Sequence, residues 1–313
     1  MTKLRIAVIG CNNMGSKHIK CLRENFPEEV EIVGILNRNS TRQKAAELNV
    51  PAFSSIDDIT QENIDAAIIS VPAEFHREIA VKLLSRKIPC LLEKPMALNK
   101  DECLEIIAAV KKTKTPLLIG HTENYNPAVI ALKEKLNTPI KSIKAIRTSR
   151  NVSDKRTVTV VPELMIHDLA VVSSLLSKKP EIMNVSHRPV YNWTQHAVVK
   201  MQYGQAAVVL EAAIADIPVQ RYMEITDVND NLYRIDFMDR RLSQNGQILI
   251  EGGNSLAEEQ RNFLGMIRGK EKPFVRLQEA VYNVEICSRI EQEMQKADVL
   301  NKKILDIQKN YKN

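Results

Sequence analysis

The first 120 residues alternate between short apolar runs and helical segments, and this alternation restricts the fold more than any other feature of the chain. The first run, Leu4–Ile9, is almost continuously apolar and ends in Gly10, which is typical of a parallel strand buried on both faces. Such spacing predicts right-handed βαβ units and a parallel sheet. The predicted strands are Leu4–Ile9, Val30–Leu36, Ala66–Val71, Pro89–Leu92 and Leu117–Gly120, and the predicted helices are Gly15–Asn25, Ser40–Leu48, Phe75–Ser85 and Lys100–Thr113.

After about residue 120 the pattern changes to longer runs in which apolar and polar residues alternate. The turn signals Tyr203-Gly204 and Asn245-Gly246 favour an open, mostly antiparallel sheet with helices on one face. The predicted strands are Ile140–Thr148, Ala197–Gln202, Ala206–Ala213, Tyr222–Asp227, Leu232–Asp236 and Arg241–Leu249, and the predicted helices are Pro127–Leu136, Glu163–Leu176, Leu256–Arg268 and Leu277–Lys296. We therefore expect an α/β chain of two domains, residues 1–120 and 121–313, in which the last helix packs back on the first domain.

A glycine-containing turn, Gly10-Cys11-Asn12-Asn13-Met14-Gly15, follows the first strand and opens a helix. This is the position of the phosphate-binding turn in a Rossmann dinucleotide-binding domain, where backbone N–H groups and the helix N-terminus accept the pyrophosphate. Asn12 replaces the middle glycine of that pattern. Because Asn tolerates unusual backbone angles better than most residues, we expect the turn to survive the replacement.

The end of the second strand reads Leu36-Asn37-Arg38 and leaves the choice of cofactor open. An acidic residue there would bind the ribose 2′-hydroxyl group of NAD, and Asn37 lacks the carboxylate. Arg38 is suited to the 2′-phosphate of NADP, while the Asn37 amide can still hydrogen-bond a ribose. The sequence is thus compatible with either NAD or NADP, or with a merely solvated strand end.

Composition excludes several classes of function. Hydrophobic residues are 44% of the chain, charged residues are 26% and the net charge is +6, which is ordinary for a water-soluble protein. Because no basic block is interleaved with aromatic residues, we expect no nucleic-acid partner. The five scattered cysteines form no C-x-x-C pair, which favours reduced thiols in a cytoplasmic protein, and no His/Cys/Asp spacing suits a metal site. We expect neither a signal peptide nor a membrane span, since no apolar run is long enough.

Lys94 lies at the carboxyl end of the fourth predicted strand, between Glu93 and Pro95. Parallel sheets bind ligands beyond the carboxyl ends of their strands, and Gly10 and Pro72 fall at such ends too. A lysine at the end of a strand is usually a solvated residue. Its placement beside the glycine turn instead favours an ammonium group that points into a cleft.

These motifs together resemble the glucose–fructose oxidoreductase / inositol dehydrogenase (Gfo/Idh/MocA) family over nearly the whole chain. The matching segments are Gly10–Gly15, Val71-Pro72-Ala73-Glu74-Phe75-His76, Glu93-Lys94-Pro95, Gly120–Pro127 and Ile166-His167-Asp168. The resemblance implies a Rossmann domain that binds NAD or NADP, followed by a domain whose open sheet carries the substrate and forms homodimers or homotetramers. Contacts implied beyond the turn are Val71, Pro72, His76, Glu93 and Lys94 for the cofactor, and His121, Tyr125, Asn126 and His167 for the substrate.

Oxidation of a secondary alcohol needs a base for the hydroxyl proton and positive charge near the developing alkoxide. Lys94 can supply the charge, and His167 is the candidate base because imidazole titrates near neutrality. Glu163 lies four residues before His167 on a predicted helix, so that both side chains share one face. The family usually has Asp at the position of Glu163. The longer side chain here can change the position of the substrate, while the type of reaction stays the same. His18, His187 and His196 show no partner pattern and are expected to be structural or surface residues.

Within the family, Gly120–Val129 and Glu163–Asp168 look like the segments of enzymes that oxidise UDP-N-acetylglucosamine at C3. Asn124 stands where that group usually has Arg, so the substrate here can differ. Two alternatives stay open: a reductase of a non-sugar carbonyl or imine on the same fold, and an NAD(P)-binding protein without catalysis. The presence of both Lys94 and His167 favours an enzyme.

Overall fold

The computed structural model describes residues 2–38, 41–150, 159–176, 178–190 and 193–310. Within these ranges the chain divides into two compact units, one of residues 1–125 and 254–284 and the other of residues 126–253 and 285–313. The expected division of the chain into two independent domains, with the boundary between residues 120 and 121, stays a prediction. The prediction did not include residues 254–267, which lie in the first unit with the beginning of the last helix.

The first unit is a parallel five-stranded sheet with the order β2-β1-β3-β4-β5. Its strands are β1 Leu4–Ile9, β2 Val30–Leu36, β3 Ala66–Ile69, β4 Cys90–Glu93 and β5 Leu117–Gly120, and its helices are α1 Asn13–Asn25, α2 Thr41–Leu48, α3 His76–Ser85 and α4 Lys100–Thr113. The predicted start of α2 at Ser40 lies outside the described residues. The predicted Rossmann fold is confirmed. The strand order reverses between β1 and β3, which is where such a sheet binds its ligand.

The apolar character of these strands follows from burial on both faces of the sheet. Every residue of β3 and β4 is buried, including the terminal Glu93 of β4. One face packs on α3 and α4 through residues such as Leu83 and Ile106, and the other packs on α1 through residues such as Ile19 and Leu22. The core thus fixes the carboxyl ends of the strands, where polar residues begin.

The second unit is an eight-stranded sheet with the order β13-β12-β11-β10-β6-β9-β8-β7. Its elements are α5 Pro127–Lys135, β6 Ile140–Ser149, α6 Ile166–Leu175, β7 Glu181–Val190, β8 Trp193–Tyr203, β9 Ala206–Ile214, β10 Arg221–Asp227, β11 Leu232–Asp236, β12 Arg241–Gln244 and β13 Gln247–Ile250. All neighbouring strands are antiparallel except β6 and β9, so the predicted mostly antiparallel sheet is confirmed.

Two helices follow the second sheet in sequence, α7 Ser255–Ile267 and α8 Leu277–Asn310. Helix α7 begins at the N-cap Asn254, whose side chain accepts a hydrogen bond from Ala257 N at 3.2 Å. It contacts α1 and the turn Thr122–Tyr125 within the first unit. All five cysteines are buried free thiols, and among the described residues no helix has the length and apolarity that a bilayer crossing requires.

Candidate active site

The glycine turn after β1 fits closely against the end of β3. Gly10 has a φ angle of +86°, and a Cβ atom there would lie 2.6 Å from backbone atoms of Ser70 and Val71. A Cβ atom on Gly15 would lie 2.0 Å from the carbonyl oxygen of Gly10. Ser70 Oγ donates a hydrogen bond to that same oxygen at 2.5 Å. Only glycine permits this approach of β1, the turn and α1 at the reversal of the strand order.

The N-terminus of α1 is available to an anionic group. Its N-cap, Asn12, makes no side-chain capping hydrogen bond, and Asn12 and Asn13 are exposed while Met14 is half-buried. The first backbone N–H groups of a helix have no partner within the helix and carry the positive end of its dipole. The Gly10–Gly15 turn therefore has the features that a dinucleotide pyrophosphate needs, and the contacts of its residues with the cofactor stay predictions.

The end of β2 lies beside this turn. Cys11 N donates a hydrogen bond to Asn37 Oδ1 at 3.3 Å, and Asn37 N donates to Thr41 Oγ1 at 3.0 Å. The exposed guanidinium group of Arg38 lies over the ring of Phe75, 5.2 Å from its centroid. The ribose end of the site thus presents an amide and a guanidinium group with no carboxylate in the predicted acidic position.

His76 joins the segments that follow β3 and β4. It is 1% exposed, and its Nδ1 and Nε2 lie 2.8 Å from Pro95 O and 2.9 Å from Val71 O. Burial lowers the pKa of His76, against the effect of the two carbonyl groups, which favour the protonated ring. The imidazole thereby fixes half-buried Val71 and exposed Pro72 relative to Pro95. These contacts give His76 a role in holding the loops, whether or not it touches the cofactor.

Lys94 follows β4 and is half-buried, next to a polar cluster inside the first unit. Glu93 is 6% exposed; its Oε1 lies 2.9 Å from His18 Nε2, and its Oε2 accepts a hydrogen bond from Lys94 N at 3.2 Å. Burial alone would raise the pKa of Glu93, but the hydrogen bonds and charges of His18 and Lys94 hold it below its ordinary value. Glu93, predicted to contact the cofactor, thus holds the backbone that carries Lys94.

Helix α7 supplies two more polar groups to this cluster. Gln260 Nε2 donates hydrogen bonds to His18 Nδ1 and His18 O, both at 3.1 Å. Glu259 is fully buried, and its Oε1 accepts a hydrogen bond from Thr122 Oγ1 at 3.0 Å. Burial, together with the charge of Glu93, raises the pKa of Glu259 well above its ordinary value. The two carboxyl groups of the cluster therefore differ in pKa, and Glu259 holds a proton more tightly than Glu93.

His121 directly follows β5 and is 1% exposed. Among the described residues neither of its ring nitrogens has a hydrogen-bond partner. Burial, with the positive charge of Lys94, lowers the pKa of His121 to about 4, against a smaller opposite effect of Glu93. His121 is therefore a neutral imidazole at physiological pH, and its two nitrogens are suited to a polar ligand.

The other residues of the predicted substrate segment are engaged in local structure. Tyr125 is 3% exposed, and its hydroxyl group donates to Asn262 Oδ1 at 2.9 Å while its ring contacts Phe274. Asn126 begins the second unit and caps α5, since its Oδ1 accepts a hydrogen bond from Ala128 N at 3.1 Å. Their predicted contacts with a substrate stay predictions.

In the second unit, Glu163 and His167 are both half-buried. Glu163 lies in a π-helical turn, Val161–Met165, which continues directly into α6 with His167 in its first turn. The predicted single α-helix from Glu163 is thus a wider turn followed by a regular helix. Lys94 belongs to the first unit and His167 to the second.

A buried ion pair holds the start of α6 on the sheet of the second unit. Asp168, next to His167, accepts from Arg147 Nε at 3.0 Å and from a terminal guanidinium nitrogen at 2.9 Å. Both side chains are 2% exposed, and the guanidinium group also lies 4.9 Å from the centroid of the Phe237 ring. A two-point contact of this kind fixes orientation as well as distance. The pair therefore fixes the helix turn that presents His167.

Three buried polar residues of these clusters were missed by the sequence analysis, Arg147, Glu259 and Gln260, while His18 was expected to be a structural or surface residue without a partner pattern. Glu259 and Gln260 lie on the apolar stripe of α7 with Phe263 and Leu264, and polar residues on such a stripe are a detectable signal. His18, Glu93 and Glu259 also offer nitrogen and oxygen atoms within 4.8 Å of one another. Hydrogen bonds account for the cluster, and the expected absence of a metal stays a prediction.

Residues 4–121 match the model of an oxidoreductase family with an NAD-binding Rossmann fold. The chain is 28% identical to UDP-N-acetylglucosamine 3-dehydrogenase of Acidithiobacillus ferrooxidans over 58% of this chain and 56% of that protein. It is 25% identical to an inositol 2-dehydrogenase of Corynebacterium glutamicum over 59% of this chain and 57% of that protein. The matches thus span little more than half the length of these relatives.

A solved structure of UDP-N-acetylglucosamine 3-dehydrogenase from Acidithiobacillus ferrooxidans has the same fold. It superposes with a TM-score of 0.86 and covers 94% of this chain and 98% of the other, at 22% identity. At that identity the likeness extends the fold to both units and leaves the substrate to be argued from the residues.

Proposed function

We propose, from the Gfo/Idh/MocA oxidoreductase family to which residues 4–121 belong, that this chain transfers a hydride between a nicotinamide cofactor and a secondary alcohol or ketone of a sugar. The observation that carries the proposal is the uncapped α1 N-terminus behind the Gly10–Gly15 turn, with Lys94 at the end of β4 in the same sheet. These features support a dinucleotide site and a cationic side chain at the same carboxyl ends of the strands.

The residues around the turn would hold the cofactor. The α1 N-terminus would bind the pyrophosphate, Asn37 and Arg38 the ribose end, and Val71 and Pro72 the segment beyond β3. When bound, the nicotinamide supplies the site that accepts or releases the hydride. The NAD-binding family model favours NAD, while the absence of an acidic residue at position 37 is compatible with NADP.

Lys94 and His167 would have separate roles in the reaction, one in stabilising charge and the other in proton transfer. The Lys94 ammonium would hydrogen-bond the reacting oxygen and stabilise its negative charge as the hydride leaves. His167 would take the hydroxyl proton in oxidation and return it in reduction, with Glu163 orienting the imidazole. His121, a buried neutral imidazole, would hydrogen-bond the bound sugar or the cofactor amide.

The substrate that we propose is a nucleotide sugar such as UDP-N-acetylglucosamine, oxidised at C3. The 28% identical relative supports this choice by its name, and the net charge of +6 favours an anionic substrate. Buried Asn124 stands where the nucleotide-sugar enzymes usually have Arg. Glu163 is longer by one methylene than the usual Asp. Both differences act on the fit of the sugar more than on the hydride transfer.

The test is an absorbance assay of nicotinamide reduction with UDP-N-acetylglucosamine, free N-acetylglucosamine and myo-inositol as substrates. We expect turnover with the nucleotide sugar, and a loss on the order of a hundredfold or more in kcat for Lys94→Ala and His167→Ala. Lys100→Ala, which removes an exposed cation at the start of α4, is the matched control and should retain activity.

Each other result points to a different conclusion. Turnover of myo-inositol alone would contradict the nucleotide-sugar assignment, with the reaction type retained. Unchanged turnover in both the Lys94→Ala and the His167→Ala variant would contradict the site. Cofactor binding without turnover of alcohols, ketones or imines would indicate a non-catalytic NAD(P)-binding protein.

A further inference from the structure

The polar cluster beside Lys94 contains a carboxyl group for which the proposed chemistry has no use. Glu259, on α7, is fully buried in the first unit together with His18 and Glu93. A buried carboxyl group costs folding free energy unless it is protonated or paired. Its presence on an otherwise apolar helix stripe therefore needs a physical reason.

Two carboxyl groups this close cannot both be ionised. One nitrogen or oxygen atom from each of His18, Glu93 and Glu259 lies within 4.8 Å of the other two, and all three residues are buried. Glu93 is the better site for the negative charge, because His18 Nε2 and Lys94 N both lie within hydrogen-bond distance of it. Among the described residues, Thr122 Oγ1 is the single donor to Glu259, and Glu259 Oε2 has no partner. The proton thus belongs on Glu259.

The position of Glu259 gives this proton a consequence for the site. Thr122 follows His121 directly after β5, and Glu93 precedes Lys94 at the end of β4. Gln260, the neighbour of Glu259, holds the ring of His18, which in turn faces Glu93. Glu259 therefore connects α7 to the segment of His121 through Thr122, while its neighbour Gln260 connects α7 to the end of β4 through His18 and Glu93.

We propose that Glu259 is a positioning residue for the hydride-transfer site, which acts as a neutral carboxylic acid and holds the segments of Lys94 and His121 against α7. The kinetic part of this inference rests on the proposed function. The titratable groups that interact with Glu259 are Glu93 at the end of β4, Cys21 and His18 on α1, and Tyr125 after β5. Lys94 and His121 interact with Glu93. Ionisation of Glu259 would place a second negative charge beside Glu93 and disturb the setting of Lys94.

Infrared spectroscopy tests the protonation without any turnover. At about pH 8, where an ordinary Glu is ionised, the wild-type protein should show a C=O stretching band of a protonated carboxyl group that is absent in Glu259→Gln. Glu258→Gln, the neighbouring residue paired with Arg261, is the matched control and should keep the band. Spectra of wild type and Glu259→Gln that do not differ in this band would overturn the proposal.

The pH profile of kcat separates a positioning role from a structural one. We expect kcat of the wild type to decline at alkaline pH as Glu259 ionises. Glu259→Gln, which stays neutral, should keep kcat within about fivefold, the equivalent of one ordinary hydrogen bond, and should lack this decline. Glu259→Ala should lower kcat on the order of tenfold to a hundredfold, as small misplacements of catalytic groups do, with the cofactor Kd little changed. Circular dichroism and Tm establish that each variant is folded.

An alkaline decline that is the same in wild type and Glu259→Gln would overturn the proposal, as would equal losses of kcat in the Gln and Ala variants. If the wild type turns over no substrate while the infrared band is present, the proposed function fails and the neutral state of Glu259 stands. If turnover is present and the band is absent, the function stands and the inference fails.

Discussion

At residue 37 the chain carries an amide where NAD-specific Rossmann sites carry a carboxylate. Asn37 Oδ1 accepts from Cys11 N, and exposed Arg38 stacks on Phe75 next to it. A guanidinium group beside an uncharged residue leaves room for a 2′-phosphate. The ribose end is therefore compatible with both cofactor forms.

The corresponding prediction is that Asn37→Asp weakens the binding of NADPH by at least about tenfold, a difference of about 1.4 kcal/mol, and strengthens or leaves unchanged that of NADH. A carboxylate accepts the ribose 2′-hydroxyl group and repels the 2′-phosphate. Fluorescence titration of both reduced cofactors measures the two Kd values. Gln61→Glu adds the same charge in the segment before β3, at the other end of the sheet, and should change neither. A loss of affinity for both cofactors alike would contradict the assignment.

The burial of His121 leads to a second prediction at the scale of one residue. Its pKa is about 4 in the folded protein and about 6.5 when exposed. Between these values the unfolded chain binds more protons than the folded one, so stability rises with pH across this window and is lost as the pH falls through it. Across the whole window the unfolding free energy changes by about 3 kcal/mol, because each pKa unit corresponds to ~1.4 kcal/mol.

His121→Gln keeps a polar side chain of similar length and removes this titration. Thermal unfolding of wild type and His121→Gln should therefore show Tm curves that converge or cross as the pH falls from about 6.5 to about 4. Curves that run parallel over this range would show that His121 is not buried in its neutral form.

At the scale of elements, the Arg147–Asp168 pair couples β6 to the first turn of α6. Asp168→Asn removes the negative partner of a buried guanidinium group, and we expect a loss of unfolding free energy of roughly 3–5 kcal/mol. Urea or thermal unfolding followed by circular dichroism measures it. Asp230→Asn, which removes the partner of exposed Lys141, should have a much smaller effect. A loss no larger than that of the control would mean that the pair is not buried in solution.

The elements that the sequence predicted well are those with a strong local pattern. The strands of the first sheet are buried on both faces, so their apolar runs predicted the strand bounds within two residues. The start of α5 at Pro127 was also predicted correctly. The run predicted as Arg241–Leu249 is in fact the hairpin β12–β13, which turns at Asn245-Gly246, a signal noted but not applied to this strand. Strand β7 was missed, because its polar residues weaken the alternation.

The sequence analysis proposed site residues mainly where a residue sits at the end of an apolar strand or in a turn. Gly10, Asn37 and Lys94 have that property. Glu259 approaches Glu93 across 166 positions of the sequence, and a contact of that span leaves no periodicity to read. Arg147 looks like a solvated cation on a strand, and only the packing of α6 shows that Asp168 neutralises it.

At the scale of the whole molecule, the eight-stranded sheet presents a row of side chains across its central strands. Val198, Glu211, Ile146 and Tyr222 are paired neighbours on β8, β9, β6 and β10, and all are partly exposed. A row of apolar and aromatic residues around one charge is suited to self-association. We propose that homodimers or homotetramers form through this face.

The prediction is that Ile146→Lys lowers the molar mass measured by size-exclusion chromatography with light scattering, because it replaces an apolar side chain of the contact by a charged one, whose burial costs free energy. Leu104→Lys makes the same change at an exposed apolar residue of α4, in the first unit, and should leave the mass unchanged. A wild-type protein that is monomeric at all concentrations, or an Ile146→Lys variant with the wild-type mass, would exclude this face as the interface.

Residues 254–284 belong to the first unit although residues 126–253 separate them from it in sequence. This separation has a consequence during synthesis on the ribosome. The five strands of the parallel sheet are complete when residue 120 emerges, but α7 is translated only after the whole segment 126–253. Until then His18 and Glu93 lack Gln260 and Glu259, and the apolar residues of the sheet face that packs on Phe263 stay uncovered. A nascent chain released before residue 254 therefore exposes a partly apolar and partly polar surface, which chaperones and proteases can recognise as incompletely folded.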